Sequence, residues 1–257
     1  MAATSSDPAT PPQRIPRPGL ARAGGPAPWA RIPAARRRGL HLDRVLGALE
    51  GAGQLGPVPG PDSEAVRPWV EVEPADTVGP SVGAAVLVPL FEEGGETRVV
   101  LTRRSTALRA HRGEVSFPGG RLDPGERAEA AALREADEEI ALDPATVRVA
   151  GWLHPVLTFV SGSLILPVVG TLEWRPKVRP SPAEVDRVFD VALEDLVADG
   201  AFHEERWAVP GRAVPGSPDG TFPVWFFDGA GETIWGATAR MLYELLSIVL
   251  GVPSAPG

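Results

Sequence analysis

Residues Glu126 to Leu142 form a run of Ala, Leu, Glu and Arg with strong helix propensity, and it follows a Gly/Pro-rich stretch from Gly113 to Gly125. This run constrains the chain more than any other, because a helix here has to place several acids together. At 100° per residue, Glu135 and Glu139 lie one turn apart and Glu138 lies within about 100° of both. Three carboxylates therefore share one face. On an exposed helix such pairs repel by about a few tenths of a kcal/mol each, so the face is either solvated and balanced by Arg127 and Arg134, or it holds a cation. Hard oxygen ligands of this kind select Mg²⁺ or Mn²⁺.

Around that helix the patterning calls for strands. Val82 to Phe91 is a continuous apolar run, and Glu92-Glu-Gly-Gly-Glu96 turns it into a second strand, Thr97 to Thr102, as a hairpin with a five-residue loop. Val147 to Val156, Leu164 to Leu172 and Val224 to Phe227 read as further strands. Leu40 to Leu49 reads as a short amphipathic helix, Pro182 to Ala198 as helical or mixed structure, and Thr238 to Leu250 as a closing helix. Strands with one central and one terminal helix predict an α+β fold, with an α/β/α sandwich on a mixed β-sheet as its specific form. Residues 1–33 are rich in Pro, Ala, Gly and Arg and predict a disordered tail, leaving 34–253 as a single domain. The Arg/Ser/Ala-rich character of that tail is shared by transit peptides, but a disordered tail accounts for the same residues.

Composition removes several classes of function. The chain has no cysteine, so disulfides, thiolate nucleophiles, iron–sulfur clusters and Cys-ligated zinc are excluded, and the cytoplasm is the expected location. Net charge is −8, and residues 1–40 hold seven Arg against one acid, Asp7, so the remainder stands at −14. Such a body is a poor partner for nucleic acid, although a local Arg cluster or a metal still suits a small anionic ligand. Val82 to Phe91 spans ten residues and contains Pro89, whereas a membrane helix needs about twenty, so no membrane partner is expected. Ser161 and Ser163 lack the surroundings of a serine nucleophile.

Immediately before the helix stands Phe117-Pro-Gly-Gly120, and Gly120 to Leu142 reads G-x5-E-x7-R-E-A-D-E-E-I-A-L. This resembles the Nudix box, with Gly120, Glu126, Arg134, Glu135, Glu138, Glu139 and Leu142 on the pattern. It departs at Ala136, which is smaller than usual, and at Ala141, which replaces a helix-ending Gly. Holding Ala141 left-handed costs on the order of 1 kcal/mol or shifts the helix end. Upstream, Leu101-Thr-Arg-Arg-Ser105, Arg109, Gly113 and Phe117 to Gly120 resemble the extra motif of the coenzyme A pyrophosphatase branch, with Val100 for its first Leu. Ile234 to Arg240 resembles the start of that branch's terminal helix.

The resemblance implies a Nudix fold and metal-dependent hydrolysis of the pyrophosphate of coenzyme A or its thioesters, giving 3′,5′-ADP and 4′-phosphopantetheine or its acyl form. It implies Glu135 and Glu139 as metal ligands, Glu126 supporting them, Glu138 as ligand or base, and Arg134 pairing with a box carboxylate. An ordinary pair between Arg134 and Glu138 fits the same residues. Arg104 and Arg109 are expected at the substrate's phosphates, His111 at the substrate or in a loop hydrogen bond, and Gly119 and Gly120 beside the substrate. Another nucleoside diphosphate derivative, such as ADP-ribose, NADH or a dinucleotide, remains an alternative substrate, and a non-catalytic nucleotide-sensing module an alternative class. Family members are often dimers, so a homodimer is expected, with no interface specified. Glu173, Glu184, Glu204 and Glu205 are candidates for a base outside the box, and His154 and His203 carry no assignment. Trp152, Trp174, Trp207, Trp225 and Trp235 are core residues or adenine-stacking ones.

Overall fold

The computed structural model describes residues 13, 15–60, 63, 66, 82–108, 110–158, 164–208 and 220–253. Arg109, Ser161 and Ser163 lie outside them. The elements are β1 (Arg22–Ala23), α1 (Leu42–Gly51), β2 (Val82–Glu93), β3 (Glu96–Arg104), β4 (Val115–Ser116), β5 (Gly119–Arg121), α2 (Ala128–Ile140), β6 (Arg148–Trp152), β7 (Val156–Leu157), β8 (Leu164–Leu172), β9 (Val185–Ala192), α3 (Leu193–Leu196), β10 (Phe202–Ala208), β11 (Thr221–Gly229), β12 (Glu232–Trp235) and α4 (Gly236–Leu250).

The larger sheet runs β4-β3-β2-β8-β6, with β5 also on β2, β7 on β8 and β9 on β3. β2 and β8 pair in parallel and the other pairs are antiparallel, so the sheet is mixed and the fold is α+β. Helices cover both faces. Ala85, Leu87 and Phe91 of β2 pack with Ala128, Ala131, Ala132, Ala136 and Ile140 of α2. The alternate residues Val88 and Leu90 pack on the other side with Val45 and Leu49 of α1 and with Leu242, Leu245 and Leu246 of α4. A strand buried on both faces has apolar residues throughout, which is why Val82 to Phe91 shows no alternation. A second sheet, β1-β10-β11-β12, lies against α4 through β11 and β12.

The structure redraws two boundaries and divides a third segment. The first hairpin has a two-residue turn, Gly94-Gly95 at φ +63° and +82°, instead of a five-residue loop, and Glu93 pairs directly with Glu96. Two glycines with positive φ match the twist of paired strands better than a longer loop does. Pro182 to Ala198 is mixed, with β9 at Val185–Ala192 as an antiparallel neighbour of β3 and the short helix α3 at Leu193–Leu196; the side chains buried on both faces of β9 mimic helical spacing. The expected tail is shorter than 1–33. Arg22 and Ala23 pair with Arg206 and Glu205, and Trp29 is 1% exposed, stacked at 6.2 Å on Phe227 with Phe202 at its edge. A Pro/Gly-rich segment can be ordered when one large aromatic side chain enters a core built elsewhere.

Candidate active site

α2 lies close to the sheet because its inner face is alanine, buried at 128, 131, 132 and 136. The small Ala136, a departure from the usual pattern, is fully buried there. The helix ends at Ala141, which is left-handed at φ +52°, ψ +37°, its N–H donating to the Asp137 carbonyl at 2.8 Å and the Leu142 N–H to the Ala136 carbonyl at 3.3 Å. The substituted residue thus keeps the conformation the usual Gly would take, so the helix end has not shifted.

Packing separates the carboxylates that helical spacing groups together. Glu139 points toward β5, is 2% exposed, and receives the Gly119 N–H on Oε2 at 3.1 Å and Arg104 Nη1 on Oε1 at 3.3 Å. Glu138 is 60% exposed and only 3.6 Å from Arg134 Nη1. Arg134 donates from Nε and Nη2 to the two oxygens of Glu126, each at 3.0 Å, from Nη1 to Glu135 Oε1 at 2.9 Å, and from Nη2 to the Arg121 carbonyl at 3.0 Å. Arg134 therefore binds Glu126 and Glu135 more closely than Glu138. Glu126 also accepts the Asp123 N–H, and the Arg134 bonds, foremost, hold its carboxyl below the usual range.

Burial pushes Glu139 up to about 7, against the Gly119 N–H and Arg104, which lower it; the charges of Glu184 and Glu135 add to the rise. Glu184, in the turn just before β9, is thus the one among the four acids outside the box that acts electrostatically on this carboxylate. Its carbonyl accepts the Ser105 N–H at 2.7 Å, and the Ser181 N–H reaches the Glu139 carbonyl at 2.8 Å. Nothing near Glu184 in the sequence marks it, because only the pairing of β9 with β3 brings it here. Glu204 and Glu205 instead accept the indole N–H groups of Trp225 and Trp207 in the second sheet.

Gly120 shapes the site from the other side. A Cβ there would stand 2.4 to 2.5 Å from the Glu135 carboxyl atoms, so Glu135 occupies the room a side chain would take. Among the described residues no three acidic or imidazole groups converge at metal-ligating distance, since the carboxylates face arginines and backbone N–H groups. The donor set still suits a hard divalent ion: carboxylate oxygens, one buried beside like charges, and a glycine that leaves space for another.

Of the other expected residues, Arg104 is in the site and is bonded to Glu139. His111 is exposed on the loop after β3, at φ +56°, with Nδ1 2.9 Å from Glu114 Oε2, which is the loop hydrogen bond of the two expected roles. Trp207 and Trp225 are buried, and Trp174 is 73% exposed. His203 stacks on Phe226. His154 bonds Glu244 of α4 at 2.7 Å, an interaction that raises its pKa. Among the described residues no helix is long and apolar enough to cross a membrane.

The NUDIX domain family matches residues 81–210. The chain is 39% identical to Nudix hydrolase 22, chloroplastic, of Arabidopsis thaliana over 67% of its own length and 57% of that protein's. It is 38% identical to Nudix hydrolase 15, mitochondrial, of the same plant, over 67% of its length and 60% of the relative's. To the uncharacterized Nudix hydrolase NudL of Photorhabdus laumondii it is 36% identical, over 63% of this chain and 82% of that one. It thus spans less than two thirds of the plant relatives and most of the bacterial one.

Proposed function

We propose that this chain, which belongs to the NUDIX family, is a divalent-metal-dependent pyrophosphohydrolase that cleaves coenzyme A or its thioesters to 3′,5′-ADP and 4′-phosphopantetheine or its acyl form. The observation that carries the reading is the set of box carboxylates, with Glu126, Glu135 and Glu138 around Arg134, Glu135 against Gly120 and Glu139 on the Gly119 N–H. All four box carboxylates are present, which favours turnover over nucleotide sensing. The coenzyme A assignment is supported by the motif from Leu101 to Gly120, whose Arg104 stands against Glu139.

Mg²⁺ or Mn²⁺, held by Glu135 and Glu139 with Glu126 in support, would neutralise pyrophosphate oxygens and acidify water. Arg134 fixes Glu126 and Glu135 by three hydrogen bonds, so these carboxylates are preset in place. Glu138 is loosely paired and open to solvent, and takes the proton of the attacking water as the water adds to phosphorus and the P–O–P bridge breaks. Gly120 leaves room for the Glu135 carboxylate and Gly119 donates its N–H to Glu139, so the two glycines shape the metal side of the site, while Arg104 and Arg109 form the substrate side by bidentate contact with phosphate oxygens and His111 shapes the loop after β3 through its bond to Glu114. We place the enzyme in the cytoplasm, with a small-molecule substrate, no nucleic acid or membrane partner, and a homodimer as its assembly.

The test is product analysis by chromatography after incubation with Mg²⁺ or Mn²⁺ and coenzyme A, acetyl-coenzyme A, ADP-ribose, NADH or a diadenosine polyphosphate. Metal-dependent release of 3′,5′-ADP, faster than cleavage of the other compounds, is expected. Faster cleavage of ADP-ribose or NADH would keep the chemistry and remove the coenzyme A assignment. Absence of cleavage would overturn the enzymatic reading.

A further inference from the structure

Two arginines face the carboxylates of this site, and they are held in different ways. Arg134 makes four hydrogen bonds, to Glu126, Glu135 and the Arg121 carbonyl. Arg104 makes one side-chain bond among the described residues, from Nη1 to Glu139 at 3.3 Å, and its Nε is buried without a hydrogen-bond partner. A guanidinium offers five donors in a fixed fork, so Arg104 is held by charge more than by geometry. Its backbone is fixed: the N–H donates to the Glu114 carbonyl at 2.9 Å and the carbonyl accepts the Gly113 N–H at 3.1 Å. The side chain is 25% exposed and extends from that fixed backbone. Its partner is a nearly inaccessible carboxylate whose other oxygen is bonded to the Gly119 N–H.

We propose that Arg104 is the resting counter-ion of Glu139: it pairs with the buried carboxylate while the site is free of metal, gives it up when a divalent cation takes Glu139 as a ligand, and turns to the substrate's phosphate oxygens. The inference rests on the reading of Glu139 as a ligand, and it adds that Arg104 and the metal compete. An unpaired carboxylate at this depth is costly, so a resting partner is needed. A cation of charge +2 at the same oxygens repels a guanidinium bonded to them, so the exchange is electrostatically favoured.

The experiment is Mn²⁺ binding to the substrate-free protein, read by electron paramagnetic resonance of free Mn²⁺. R104Q is expected to bind Mn²⁺ about 5-fold more tightly than wild type, because the competitor is gone. R104K, which keeps the charge, is expected to stay within about 2-fold, as is R121Q, which removes a neighbouring exposed charge not bonded to Glu139. Thermal unfolding gives a second reading: R104Q melts below wild type in chelator, and the gap closes at saturating Mn²⁺. Unchanged or weaker Mn²⁺ binding by R104Q would overturn the proposal. So would equal tightening in R121Q or R104K, or a melting gap that persists in Mn²⁺. E139Q separates the two levels: wild-type Mn²⁺ affinity in that variant would remove Glu139 from the ligand set and with it the basis of the competition.

Discussion

Gly119 and Gly120 are neighbours in β5, and one added methyl group has opposite consequences at the two positions. At Gly120 the new Cβ meets the Glu135 carboxyl at 2.4 to 2.5 Å, the movable end of a side chain. Ordinary contact begins at 3.4 Å, so the carboxylate has to retreat by about 1 Å. The backbone is not strained, and stability should change by less than about 1 kcal/mol. A reacting group displaced by about 1 Å costs on the order of 10²-fold in rate, and Mn²⁺ affinity should fall with it. At Gly119, by contrast, the Cβ meets the Ala85 carbonyl at 2.4 Å and Val86 Cα at 2.5 Å, both backbone atoms of the central strand β2, at φ +155°. G119A has to pull β5 from β2 and should cost about 3 kcal/mol or more. Circular-dichroism melts with kcat and Mn²⁺ titration on both variants test this. Wild-type kcat and metal affinity in G120A would refute the reasoning, as would a loss of stability in G120A equal to that in G119A.

Other consequences are checked by stability measurements. A141G removes left-handed strain of about 1–2 kcal/mol but loosens the unfolded chain, so a net gain of about 0.5–1 kcal/mol and a Tm rise of about 1–4 °C are expected; a lower Tm would contradict the observed φ of +52°. W29A should cost about 3–5 kcal/mol by denaturant unfolding, because Trp29 is fully enclosed by Phe202, Phe227 and Tyr243; a variant as stable as wild type would return residues 1–33 to a dispensable tail. In chelator, the folded protein holds the Glu139 proton up to about pH 7, whereas the unfolded chain releases it near 4.5. Stability from this group is therefore complete below about 4.5 and lost as pH rises through about 7. The Tm of E139Q, which stays neutral, should gain on wild type across that range, and saturating Mg²⁺ should reverse the trend. A constant difference would show that Glu139 is not buried as described.

The central helix, the carboxylates along it and the strands before it were legible in the sequence, because helical and strand periods act over a few residues and the apolar runs mark what is buried. The resemblance from Leu101 to Leu142 covers the residues that the fold brings together at the N–H of Gly119 and around Arg134. Local spacing treated Glu138 and Glu139 as near equivalents, yet one is 60% exposed and the other 2%, because α2 lies on β2 and β5 along its alanine face. Arg104 meets Glu139 across 35 positions, and Glu184 reaches it only through the pairing of β9 with β3. Trp29 is ordered by a core whose other members come from β10, β11 and α4. Periodicity determined which residues could form the site. Sheet pairing and close helix-to-sheet contact, which join residues far apart in the chain, decided which carboxylate is buried, which arginine balances it and which part of the N-terminal segment is folded.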